Sequence, residues 1–180
     1  MSMISSIGYG LIGCIESTLD RAAKGLIDDN KTGNKEWTHD CLSAIAQLGF
    51  DIGYGACPDA SNMKGEWLYD LIWYMEEESE WPKRMTDVVL VLESEWSSNL
   101  CDIRYDFQKL VQAKSRLKML ISRDLSNTGL DELKRDIESF IGKDESEIYI
   151  FAMYEGCRDN PFRYETYRCG CNSQETRATK

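Results

Sequence analysis

A chain of 180 residues, 42% hydrophobic and 11% aromatic, is long enough to bury a sizeable core, and these proportions exclude wholesale disorder. A formal net charge of −10 argues against an extended phosphate-neutralising surface, since strong nucleic-acid binding draws on clustered Lys and Arg. No apolar stretch nears the ~20 residues needed to span a bilayer. Met1–Ile15 lacks the basic start and cleavage pattern of a secretory signal, so a cytoplasmic protein is expected.

In chain order, Ile7, Leu11, Ile15, Leu19, Ala22, Ala23 and Leu26 recur at helical spacing and predict an opening helix over 4–28. A loop follows at Asp28–Asn34. A second helix is expected from about Lys35 to Leu48, with Trp37, Cys41, Leu42, Ile45 and Leu48 on one stripe and Gly49 as its stop. Phe50–Tyr54 reads as a short strand or extended link, and Pro58–Gly65 as a loop. Trp67–Tyr74 and Val88–Trp96 are apolar strands, joined by an acidic turn around Glu76–Glu80.

Cys101–Lys114 reads as a helix on Ile103, Phe107, Leu110 and Val111, leading directly into a strand at Leu117–Ile121. Ser126 or Asn127 is placed to cap a helix that runs to Ile141, with Gly142 beyond it. Glu147–Tyr154 and Arg163–Tyr167 would close the chain as paired strands. This order implies an α/β fold, a mixed-sheet sandwich with flanking helices. The unit from Val88 to Ile121 should form a parallel crossover. Residues 1–170 read as a single domain and 171–180 as a polar tail.

Seven cysteines, with no secretory signal, are expected to be reduced thiols; Cys169-Gly170-Cys171 with Cys157 upstream is weak as a zinc pattern. His39 is the sole histidine and sits on an amphipathic helix, so a histidine-based nucleophile system has no support.

The acids carry the chemistry. Five aliphatic residues, Val88–Leu92, run into Glu93-Ser94-Glu95, and strand alternation brings Glu93 and Glu95 out on one face. Asp70 stands inside the other apolar run, where an unpaired carboxylate would be costly unless it pairs, shifts its pKa or binds metal. Two adjacent strands that each offer a carboxylate make a site for a hard cation.

On these residues the chain resembles the PD-(D/E)xK nuclease superfamily, whose members share a restriction-endonuclease-like core. Glu36, opening the second helix, is similar to the family's first motif, Tyr69-Asp70-Leu71 to the second, and Glu93-Ser94-Glu95 to the third. The resemblance covers about residues 35–122. It implies a metal-dependent phosphodiesterase acting on nucleic acid, with Asp70 and Glu93 as ligands of Mg2+ or Mn2+ and Glu36 as an outer partner. Two positions depart from the pattern: Tyr69 replaces a Pro, and Glu95 stands where the catalytic Lys belongs. In some members that Lys migrates to the following helix, and Lys109 is placed to substitute for it.

Each residue also has an ordinary reading. Glu36 suits a helix start by the macrodipole alone, Lys109 can pair with Asp106 along its own helix, and Glu95 can point into solvent. The alternative function is a non-catalytic protein-interaction or regulatory protein that retains the fold. If nucleic acid is the ligand, the best available cations are Lys109, Lys114, Arg116 and Lys118.

Overall fold

The structure, a computed structural model, describes residues 4–58, 68–77 and 84–170, with side chains from residue 10 onward. Two helices come first, α1 (Ile4–Asp28) and α2 (Asn34–Asp51), then strands β1 (Gly55–Cys57), β2 (Leu71–Glu76) and β3 (Met85–Glu95). Helix α3 (Leu100–Gln112), β4 (Leu117–Arg123), α4 (Asn127–Ser139), β5 (Ile148–Tyr154) and β6 (Phe162–Arg168) follow. The strands form one six-stranded mixed sheet in sequence order. β1–β2, β2–β3 and β5–β6 pair antiparallel, while β3–β4 and β4–β5 pair parallel across α3 and α4.

Alternation along each strand builds two apolar layers. Leu71, Trp73, Leu90, Leu92, Met119 and Ile150 pack against α1 and α2. Ile72, Val91, Leu120, Tyr149, Phe151 and Met153 pack against α3 and α4. Both helices on the second face start with a side-chain cap. Asn99 accepts from the Cys101 N–H at 3.0 Å, and Ser126 accepts from the Gly129 N–H at 3.1 Å.

Three expectations need correcting. Helix α2 does not stop at Gly49 but runs to Asp51. Gly53, just past the cap residue Ile52, has a φ of +92°, the left-handed conformation glycine adopts beyond a helix C-terminus. The Gly53 N–H donates to Phe50 O and the Tyr54 N–H to Gly49 O, the paired bonds of a Schellman motif. The strand expected at Phe50–Tyr54 is therefore shifted to β1, because those residues close the helix. Lastly, β2 begins at Leu71, so Asp70 precedes the strand instead of lying inside it. Trp67, most of the loop to Gly65, Glu78–Glu80 of the acidic turn, Cys171 and the polar tail lie outside the described residues.

Gly49 serves packing. A Cβ there would lie 2.6–2.9 Å from three atoms of the Trp73 indole. That ring is fully buried and donates from Nε1 to Ile45 O at 3.1 Å. The indole has no room to retreat, so Gly49→Ala is expected to destabilise by about 1–3 kcal/mol despite alanine's better helix propensity. Urea denaturation of the two proteins measures it; equal midpoints would show that the indole yields.

Candidate functional site

The register Leu71↔Leu92 is the last pair of the β2–β3 ladder, and one step further sets Asp70 opposite Glu93. Asp70 has the parity of Ile72, and Glu93 and Glu95 that of Val91, so all three acids emerge on the face covered by α3. Where the ladder stops, Asp70 Oδ2 accepts the Ser94 backbone N–H at 2.7 Å. The side chain thus takes up a backbone donor at the strand end, fixing the Asp70 carboxylate beside Glu93.

Glu93 is buried, its side chain 2% exposed. Helix α3 lies over it, and Lys109, in the helix's last turn, reaches back so that Nζ sits 3.2 Å from Glu93 Oε2. The same ammonium lies 2.7 Å from Asp106 Oδ1. Glu93 Oε1 is buried and has no hydrogen-bond partner among the described residues. Burial, then the neighbouring Asp70 charge, pushes the Glu93 carboxyl up to about 8, against the opposing pull of Lys109. Burial disfavours the charge on Lys109, but Asp106 and Glu93 outweigh it and keep the ammonium protonated.

Glu95 is half-buried, not directed into open solvent. Its Oε1 accepts the Ser97 N–H at 2.6 Å, and its carboxyl hydrogen-bonds with Asp106. Burial raises its pKa, with Asp106 adding to the rise. Lys109 therefore joins Glu93, which has Asp70 beside it, to Asp106, which has Glu95 beside it. Asp106 is the member that sequence reasoning missed, since its three-residue spacing to Lys109 reads as an ordinary helical ion pair. The structure contains both contacts: Lys109 keeps that pair and bridges it to β3.

Glu36 stays apart from this cluster. It lies in the first turn of α2, half-exposed, with Oε1 2.9 Å from Lys31 Nζ. Trp37, with its ring centroid 5.5 Å from that of Trp96, seats this helix start at the same end of the sheet but on the opposite face. His39 is exposed and pairs with Asp40 at 2.9 Å. Cys157 is exposed, whereas Cys169 is buried in the layer under α3 and α4, and both are free thiols.

The expected cationic set does not assemble around the acids. Lys114 and Arg116 are exposed between α3 and β4, toward the opposite end of the sheet. Lys118 is fully buried and 2.8 Å from Glu147 Oε1, so it is unavailable to a phosphate.

Among the described residues no group of three or more His, Cys, Asp or Glu side chains is arranged to hold a metal ion. Magnesium, however, takes only one or two protein carboxylates and keeps several waters. The Asp70–Glu93 pair fits that demand, because a cation there would satisfy the orphaned Glu93 Oε1 and offset the repulsion between the two acids. No helix among the described residues is long and apolar enough to cross a membrane. Comparisons with protein-family models, curated proteins and solved structures returned no match to this chain.

Proposed function

We propose that this chain is a divalent-metal-dependent phosphodiesterase acting on nucleic acid, built on a restriction-endonuclease-like core. The observation that carries the reading is the contact of Lys109 Nζ with Glu93 at 3.2 Å, beside Asp70. It supplies an ammonium from the following helix where the strand motif offers Glu95. With the short β1 between α2 and β2, the elements α2, β2, β3, α3 and β4 follow in the order that the resemblance implies.

Asp70 and Glu93 would hold Mg2+ or Mn2+. When bound, the ion would supply Lewis-acid polarisation of a phosphodiester and lower the pKa of a coordinated water. Lys109, kept protonated by Asp106, presents a fixed positive charge where negative charge develops on the phosphoryl oxygens. Glu95 hydrogen-bonds with Asp106, which in turn holds the Lys109 ammonium, so the two acids brace the Lys109 side of the site. Ser94 contributes its backbone N–H, which orients Asp70.

Calorimetric titration with Mg2+ and Mn2+, run beside cleavage assays on plasmid and single-stranded substrates, tests the reading. Lys109→Ala is expected to cut cleavage roughly a hundredfold or more while leaving thermal unfolding nearly unchanged. An active protein indifferent to that substitution would remove Lys109 from the chemistry. The second reading, a non-catalytic protein-contact or regulatory role, draws on the net charge of −10 and the absence of the motif lysine at Glu95. Failure to bind either ion, with no cleavage, would favour it.

A further inference from the structure

The site also has an aromatic side chain that the fold does not use. Tyr105 precedes Asp106 on α3 and is 71% exposed, and its ring centroid lies 6.0 Å from Lys109 Nζ. An exposed cation–π contact at that range contributes only ~0.5 kcal/mol, too little to account for a bare ring at the mouth of the cluster. Leu68, two residues before Asp70, is also 71% exposed, so apolar surface is present on the β2 side as well.

We infer that Tyr105 is a stacking platform for an unpaired base next to the bound phosphodiester, and that the substrate is therefore single-stranded nucleic acid; this rests on the phosphodiesterase reading. The charge distribution points the same way. Among the described residues Lys109 is the cation placed in the cluster, whereas Lys114 and Arg116 lie toward the far end of the sheet and Lys118 is buried. Among the described residues, phosphate neutralisation within the cluster draws on Lys109, which leaves the metal pair and stacking to add affinity there. In a duplex the bases face one another and offer no open π-surface to a side chain on a helix. An unpaired base does, and aromatic stacking on single strands is strong and tolerant of sequence.

The test is fluorescence anisotropy with labelled twelve-nucleotide oligo(dT) and oligo(U), and with the oligo(dT)·oligo(dA) duplex. Calcium replaces magnesium to hold back cleavage. Wild type is expected to bind the single strands more tightly than the duplex, with a shallow slope of log K on log salt, about −1 to −2. Tyr105→Ala should weaken single-strand binding about tenfold or more without changing that slope, and Tyr105→Phe should retain it. Equal binding by wild type and Tyr105→Ala, or a loss in Tyr105→Phe as large as in the alanine variant, overturns the platform. Preference for the duplex overturns the single-strand inference while the phosphodiesterase reading stands. No binding of any probe, with or without the metal, overturns both. Comparison of the two oligomers decides between DNA and RNA as the preferred strand.

Discussion

Lys118→Ala is expected to cost about 3–5 kcal/mol of folding stability, a large share of what holds a domain of this size together. Lys118 Nζ is 2.8 Å from Glu147 Oε1 and donates to the Tyr149 hydroxyl at 3.2 Å and to Val111 O at 3.3 Å. Tyr149 in turn donates to Glu147 Oε2 at 2.9 Å, closing a triangle of buried polar groups. Burial lowers the Lys118 pKa, and the Glu147 contact opposes that shift without cancelling it. Deleting the lysine strands Glu147, 6% exposed, with no compensating cation. Replacing both partners by apolar residues of similar volume, as in Lys118→Met with Glu147→Leu, should recover most of the loss, because neither charge is then left unpaired. Denaturant unfolding of the single and double variants measures the difference. A single variant within 1 kcal/mol of wild type would show that water or a rearranged side chain reaches Glu147.

The same lysine shows where sequence reading reaches its limit. In sequence Lys118 reads as one of the cations available around the third-motif helix and strand. β4, however, is central and parallel-paired on both sides, and Leu117–Ser122 are all buried, so no solvent face exists for it. Its counter-ion comes from Glu147, 29 residues later in the chain, a partner no local pattern reveals. The helices were legible because their apolar stripes repeat within one segment, as at Leu130, Leu133 and Ile137 of α4. The end of α2 was misread because two glycines competed for one role. Gly49 answers to the Trp73 indole across the layer, and Gly53 to backbone conformation at the helix end. In the site, parity along β3 was enough to put Glu93 and Glu95 on one face, and the two strand ends were enough to bring Asp70 to Glu93. Glu36 went astray because a helix-start glutamate looks the same whether it serves a cluster or, as here, Lys31. Tyr105 carried no signal at all, since exposure is a property of the fold.

Glu93→Gln should have opposite effects on stability and on chemistry. In protein stripped of divalent ions, the folded chain keeps the Glu93 proton up to about pH 8, against an ordinary value of 4.5. Between those limits the folded state binds more protons than the unfolded one, so stability falls as pH rises from 4.5 to 8. The side chain is 2% exposed, so screening by solvent is slight, and the full shift corresponds to a loss on the order of 5 kcal/mol. A glutamine has no proton to lose, and its amide stays neutral beside Asp70. The variant should therefore match wild type near pH 5, show a much flatter profile, and exceed wild type in stability at pH 8. Magnesium should restore wild type at pH 8, since it satisfies the carboxylate that pH exposes, and should leave the variant unmoved. Cleavage should fall about a thousandfold, the scale set by losing several kcal/mol of charge stabilisation at the phosphodiester. Thermal unfolding in EDTA and in magnesium across this pH range, set against cleavage rates, separates the two effects. A wild type whose stability is level from pH 5 to 8 would contradict the buried carboxyl. A Glu93→Gln protein that still cleaves at the wild-type rate would contradict its place in the chemistry.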